Sequence, residues 1–181
     1  PVWRSSFFYN KVPFDEVKRD IQLADEVLSE FLDERPKGFR APHFGTCAGV
    51  LPKIYEVLVE LEYTYSSSAT PFSIAKHGYT YSRSGLTEFP TTGRSLQRPC
   101  NCLDSYNSVV LTKNPDEYYS EVASIVESGV PFVNLYVDPA HVLHSNGFWK
   151  AMALLVNHYE VTNYSAILAQ EKFFRDGRHD V

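Results

Sequence analysis

The chain has 181 residues and a net charge of −5, from 17 basic and 22 acidic residues that are mixed along the sequence. Its 44% hydrophobic and 14% aromatic content is enough for one buried core, so we expect a single domain over residues 1–181. The lack of a basic stripe argues against a nucleic-acid partner. The apolar runs are far shorter than the roughly 20 residues of a membrane-spanning helix, so no membrane span is expected. The composition is compatible with a homo-oligomer and does not indicate a compartment.

The first part of the chain predicts two helices with strands between and after them. Apolar residues at positions 14, 17, 21, 24, 28 and 31 alternate steps of three and four, which is typical of one amphipathic helical face. Pro13 suits the start of this helix, and the turn-forming residues 35–38 end it. A second helix is predicted from about Pro52, and a strand over 63–68 follows it. Residues 69–102 are rich in turn-forming residues and predict hairpins and loops.

Downstream of residue 102 the pattern alternates between strands and helices. In chain order it predicts a strand over 108–112, a helix over 115–128, a buried strand over 132–137, a helix over 148–159, a strand over 161–164 and a short helix over 166–174. Such alternation is typical of parallel strands joined by crossover helices, in an open sheet or a barrel. In these folds the active site lies at the carboxyl ends of the strands.

One short segment at a predicted strand end carries candidate site residues. Residues 38–45 have the sequence GFRAPHFG, in which Pro42 interrupts a short strand and leaves Arg40, His43 and Phe44 at its carboxyl end. The sequence FRAPHFG resembles the arginine, proline and glycine motif of polysaccharide deacetylases, the NodB-like carbohydrate esterase family 4. The order of predicted elements over roughly residues 5–172 is also similar to that family. The resemblance implies an α/β fold, namely a NodB-like barrel or distorted barrel with parallel strands.

The resemblance also implies an activity, a cofactor and residue roles. In this family a divalent metal, usually zinc, polarises the amide carbonyl of an N-acetyl group on a carbohydrate and activates a water molecule. An aspartate acts as base and a histidine as acid. The resemblance implies for Arg40 an ion pair that holds the aspartate, and for His43 a backbone N–H directed at the developing oxyanion. Pro42, Phe44 and Tyr136 are the residues expected to contact the carbohydrate substrate.

Two metal-binding motifs of the family do not occur in the sequence. No two aspartates are adjacent, and none of the six histidines lies four positions from another. We therefore expect the metal ligands in a segment N-terminal to Pro1, and none within the chain itself. One alternative is a catalytically inactive relative that binds a saccharide or a protein partner. A further alternative is a small-molecule amidohydrolase of the same fold.

The identity of the proton donor remains open between two residues. The family places its acid histidine after a buried strand, where this chain has the sequence YVDPAH over 136–141. Asp138 occupies the aligned position, but an aspartate needs a strong upward shift of its pKa to act as an acid, so His141 is favoured. His141 and His144 together form a less favoured candidate metal pair. Cys47, just beyond the motif, is expected to be reactive if the strand end is open.

Overall fold

The computed structural model describes residues 8–42, 47–93, 115–137 and 145–170. Its helices are α1 (Phe14–Phe31), α2 (Leu51–Glu60), α3 (Phe72–His77), α4 (Pro115–Glu127), α5 (Asn146–His158) and α6 (Tyr164–Ala169), and its strands are β1 (Gly38–Phe39), β2 (Tyr65–Ser66), β3 (Tyr81–Arg83) and β4 (Leu86–Glu88). This is the mixed α/β class that the sequence predicts. The predicted strand over 108–112 lies outside the described residues. No described helix is both long and apolar enough to cross a bilayer.

The four strands form one mostly parallel sheet in the order β1-β2-β4-β3. Strands β1, β2 and β4 run parallel, and β3 pairs with β4 as an antiparallel hairpin. The carboxyl ends of the three parallel strands therefore meet at one edge, where Arg40, Ser67 and Phe89 follow them. Among the described residues this sheet is open and does not close into a barrel.

The predicted strand over 132–137 lies beside the sheet without forming a regular ladder with it. The Thr92 backbone N–H donates to the Asn134 carbonyl at 2.8 Å, and the Asn134 N–H donates to the Thr92 hydroxyl at 2.9 Å. Side chains of the segment alternate between two faces as in a strand, since Tyr136 packs on the first core and Val133 and Leu135 on the second. The backbone groups of Val133 and Leu135 make no hydrogen bond with any described residue. Among the described residues, the backbone of Val133 and Leu135 is therefore unpaired, whereas Asn134 is paired with Thr92.

Two apolar clusters stabilise the fold. The first joins α1 and α2 to the sheet and includes Ile21, Ile54 and Leu58, which are at most 1% exposed. The second lies between α4 and α5, around Val122 and Ala151. Burial of this apolar surface is the main force that holds the helices in place.

Helix α1 has the predicted bounds, but its apolar face is only partly covered. Val17 and Ile21 are buried, whereas Leu28 is 45% exposed and Phe31 79% exposed. The apolar face of α1 therefore contacts the core over its N-terminal half. Its C-terminal half remains an exposed apolar surface.

Two local predictions are wrong. Residues 72–77, predicted as loop, form α3, which begins after Pro71 and ends where Gly78 adopts a φ of 86°. Residues 161–164, predicted as a strand, lead instead into α6, because the Asn163 side chain accepts a hydrogen bond from the Ala166 N–H at 2.8 Å and caps the helix. The second correction places Tyr164 at a helix start.

Candidate functional site

Arg40 lies at the carboxyl end of β1 and binds three neighbouring segments. Its Nε donates to the Ser67 carbonyl at 2.9 Å, and its Nη2 donates to the Ser67 hydroxyl at 2.6 Å. Nη2 also lies 3.2 Å from Asn134 Oδ1 and 3.1 Å from the Tyr164 hydroxyl. Arg40, Ser67, Asn134 and Tyr164 are called the Arg40 network below. They follow β1 and β2, occupy the 132–137 segment and begin α6, so the fold places their side chains at one edge of the sheet.

Asn134 is the centre of this network. It is 5% exposed, and its Nδ2 donates to the Ser67 hydroxyl at 2.9 Å and to the carbonyls of Phe89 and Pro90 at 2.8 and 3.0 Å. Its Oδ1 accepts a hydrogen bond from the Tyr164 hydroxyl at 2.7 Å. Since every polar atom of the amide is used, the orientation of Asn134 is fixed, and so is the position of Arg40.

The positive charge of Arg40 has no negative partner in the described part of the chain. The ion pairs found there join Lys18 to Glu60, and Arg35 to Asp25 and Glu62. Every acceptor that Arg40 contacts is neutral, and its Nη1 donates to none of the described residues. A half-buried guanidinium with neutral neighbours attracts an anion more strongly than one that is already paired, because little of its charge is compensated.

Tyr136 is the aromatic neighbour of Arg40. The guanidinium carbon lies 5.8 Å from the centre of the Tyr136 ring, within the range of a cation–π contact. Burial raises the pKa of Tyr136, and the charge of Arg40 partly opposes this rise. Tyr136 therefore stays protonated at neutral pH and offers a hydroxyl and a ring face near Arg40.

A buried carboxylate supports the turn that carries Ser67. Glu88 is 0% exposed, and its Oε1 accepts hydrogen bonds from the backbone N–H groups of Ser68 and Ala69 at 2.7 and 2.8 Å. Its Oε2 accepts a hydrogen bond from the Tyr55 hydroxyl at 2.8 Å. The sequence pattern did not indicate this role, although Glu88 shares the face of β4 with the buried Leu86, and a carboxylate on a buried face needs such partners.

Apart from Arg40 and Tyr136, Pro42 is the expected site residue that the structure describes. Pro42 is exposed and lies two residues beyond Arg40, where its carbonyl faces the Cys47 thiol at 3.4 Å. His43, Phe44, Asp138, His141 and His144 lie outside the described residues, so their expected roles remain predictions. The structure thus brings Tyr136 to Arg40 and adds Ser67, Asn134 and Tyr164, which the sequence pattern did not single out.

The expectation that Cys47 is reactive assumed an open strand end around it, and the structure contradicts this assumption. Cys47 is 0% exposed and belongs to the first core cluster with Leu51. A buried thiol in apolar surroundings has a low fraction of thiolate and reacts slowly. The chain turns inward directly after the motif, so proximity in sequence to Arg40 does not place Cys47 in the site.

The described residues do not by themselves fit a zinc ion. They contain no group of three or more His, Cys, Asp or Glu side chains close enough to hold a metal. Neutral oxygens around a guanidinium also form a poor cation site, because Arg40 repels a second positive charge. Any metal of this protein therefore needs ligands from outside the described residues.

No sequence model of a protein family matches the chain, and neither a curated protein nor a solved structure matches it significantly.

Proposed function

We propose that this protein is a metal-dependent hydrolase that removes N-acetyl or related amide-linked acyl groups from a carbohydrate. The observation that carries the proposal is the state of Arg40, which neutral side chains hold rigidly while its charge lacks a carboxylate partner among the described residues. A guanidinium that is held rigidly and has no carboxylate partner among the described residues can form the ion pair that the family resemblance implies. It lies at the carboxyl edge of a parallel sheet, where such folds carry their active sites.

The role of Arg40 in this proposal is to hold and orient an aspartate base. Ser67, Asn134 and Tyr164 occupy Nε and Nη2, so both N–H groups of Nη1 remain available to a carboxylate. The positive charge keeps that carboxylate ionised and able to accept a proton from water. Rigid placement matters because small errors in the position of a base reduce the rate strongly.

Other residues have the roles that the resemblance implies. The backbone N–H of His43 stabilises the oxyanion of the tetrahedral intermediate, and Pro42, Phe44 and Tyr136 contact the sugar. His141, rather than Asp138, donates the proton to the leaving amine. These roles were inferred from sequence, and only Pro42 and Tyr136 among these residues lie in the described part of the chain.

We propose further that the sheet continues past the 132–137 segment toward a closed barrel. Val133 and Leu135 present a backbone edge with which no described residue pairs, and an additional strand along this edge would lie beside Asn134 and Tyr164. Such a strand would bring additional side chains next to the Arg40 network. In this proposal the zinc ligands and the aspartate base come from residues other than the described ones, as the resemblance implies.

A second candidate function is saccharide binding without catalysis. It is favoured by the sequence, because Asp138 directly follows the 132–137 segment where the resemblance implies a histidine. An aspartate is ionised at neutral pH unless its pKa is strongly raised, and an ionised carboxylate cannot donate a proton. This candidate predicts that the protein binds N-acetylated oligosaccharides and releases no acetate.

The test compares Arg40→Lys with the control Arg19→Lys in a longer chain that includes the segment preceding Pro1. Lysine keeps the charge but loses the planar two-point grip, so kcat for acetate release should fall roughly 100-fold or more. KM should change by less than about threefold, the pattern of an interaction made mainly in the transition state. Arg19 is exposed on α1, and its variant should retain full activity. Near-full activity of Arg40→Lys, or no acetate release by the unmodified chain, would contradict the proposal.

A further inference from the structure

A second concave site lies next to the Arg40 network on the same edge of the sheet. It is a pocket of about 230 Å³ beside the carboxyl end of β2. Its polar and charged lining includes Thr70, Ser73, Lys76, His77, Tyr81 and Arg83. Ser68 and Ala69 also line it, and they directly follow Ser67 of the Arg40 network. The pocket and Arg40 therefore border the same short loop.

The basic side chains of this pocket have no ion-pair partner among the described residues. Lys76 and Arg83 form no ion pair or hydrogen bond with any described residue, and no Asp or Glu lines the pocket. Glu88 lies behind the loop, but its oxygens are already bound to Tyr55 and to two backbone N–H groups. Two cations and an imidazole at one concavity in a chain of net charge −5 are a local concentration of positive charge.

The three basic residues are close enough to affect one another. Burial lowers the pKa of His77, and the charges of Lys76 and Arg83 lower it further. The His77 ring lies against Tyr81, with 4.7 Å between ring centres. Tyr81 is neutral at physiological pH, since burial and the charge of Glu88 raise its pKa. No described residue that lines the pocket therefore places a negative charge beside His77.

We propose that this pocket binds the anionic group, a carboxylate or a phosphate, of the saccharide that the Arg40 site processes. The inference rests on the proposed function and narrows its substrate to an acidic carbohydrate. Arg83 has the planar donor fork that recognises both groups, and Lys76 adds a point charge. The volume is below the roughly 300 Å³ at which whole-ligand pockets begin, so it fits one charged substituent with part of its ring.

Direct binding measurements test the pocket in the chain as it stands. Glucuronate, inorganic phosphate and the neutral control glucose are titrated while the His77 ring signals are followed by NMR. An anion bound between Lys76 and Arg83 should raise the pKa of His77, because it offsets their repulsion. Glucuronate alone, phosphate alone, or both would support a carboxylate site, a phosphate site or a shared anion site, respectively. No response to either anion, or an equal response to glucose, would overturn the inference.

Variants test whether the anion binding detected by NMR depends on Lys76 and Arg83. The double variant Lys76→Ala, Arg83→Ala should weaken binding of the responding anion at least tenfold. Lys150→Ala, which removes a charge from an exposed position on α5 that does not line the pocket, should leave the affinity within about twofold. Equal losses in the two variants would indicate a general charge effect and overturn the inference.

Activity measurements separate this inference from the proposed function. In the longer chain, the double variant should lower the ratio of kcat/KM for an acidic over a neutral N-acetylated oligosaccharide at least tenfold. An unchanged ratio with normal acetate release would overturn the anion pocket and leave the hydrolase proposal intact. Intact anion binding without acetate release would overturn the hydrolase and leave the pocket as an anion site.

Discussion

The bond between Tyr55 and Glu88 gives a quantitative test of how the site is supported. Both side chains are 0% exposed, and the phenol donates to Glu88 Oε2 at 2.8 Å. A hydrogen bond to a charged group contributes about 1.5–3 kcal/mol, so Tyr55→Phe should lower the free energy of unfolding by that amount. For a chain of this length, a change of 1 kcal/mol shifts Tm by about 2–4 °C, which gives a decrease of roughly 3–12 °C.

The assay is urea unfolding at pH 7, followed by circular dichroism, with Tyr159→Phe as the matched control. The Tyr159 hydroxyl donates at 2.9 Å to the Val130 carbonyl, a neutral acceptor, so its loss should cost only about 0.5–1.5 kcal/mol. Both variants remove one oxygen atom from a partly or fully buried phenol. If Tyr55→Phe is no more destabilising than the control, Glu88 does not act as a charged acceptor and the reasoning is wrong.

Three further predictions concern phenols and a thiol. The buried Tyr118 hydroxyl has no hydrogen-bond partner among the described residues, so Tyr118→Phe should leave the free energy of unfolding unchanged or raise it by about 1 kcal/mol, and a clear loss in urea unfolding would contradict this. Burial raises the pKa of Tyr55 in the folded state, so its contribution to stability is present below the ordinary value of about 10 and is lost above it. The unfolding midpoint should therefore decrease as the pH is raised from about 10 to 11.5, and the decrease should be less steep in Tyr55→Phe. Identical slopes of midpoint against pH would refute the assignment. Cys47 should react with a thiol reagent only at the rate of global or local unfolding, whereas rapid labelling at neutral pH would contradict its burial.

Sequence patterns predicted elements that depend on local chemistry. The period of apolar residues gave the bounds of α1, and the helix over 115–128 begins at Pro115 and ends before Gly129, which has a φ of 67°. Both features are encoded within a few residues, by side-chain spacing and by conformational preference at the termini.

Features that depend on distant parts of the chain were not predictable in the same way. An apolar run such as 132–137 indicates burial, but ladder hydrogen bonds also need a neighbouring strand in register. Cys47 follows the motif, yet its burial depends on packing against α2. Asn134 lies within the apolar run and Tyr164 ends the predicted strand over 161–164, and neither pattern indicates that both contact Arg40. The position of Arg40 was predictable from its motif, and its partners were not.

The Arg40 network has a consequence for the order in which the protein folds. Its hydrogen bonds join residues separated by 27, 94 and 124 positions along the chain. Contacts of such long range carry a large loop-closure cost and form slowly, after local helices and hairpins. During synthesis, Arg40 and Ser67 emerge long before Tyr164 can reach them. We therefore expect correct placement of the guanidinium to be a late event that follows the docking of α6.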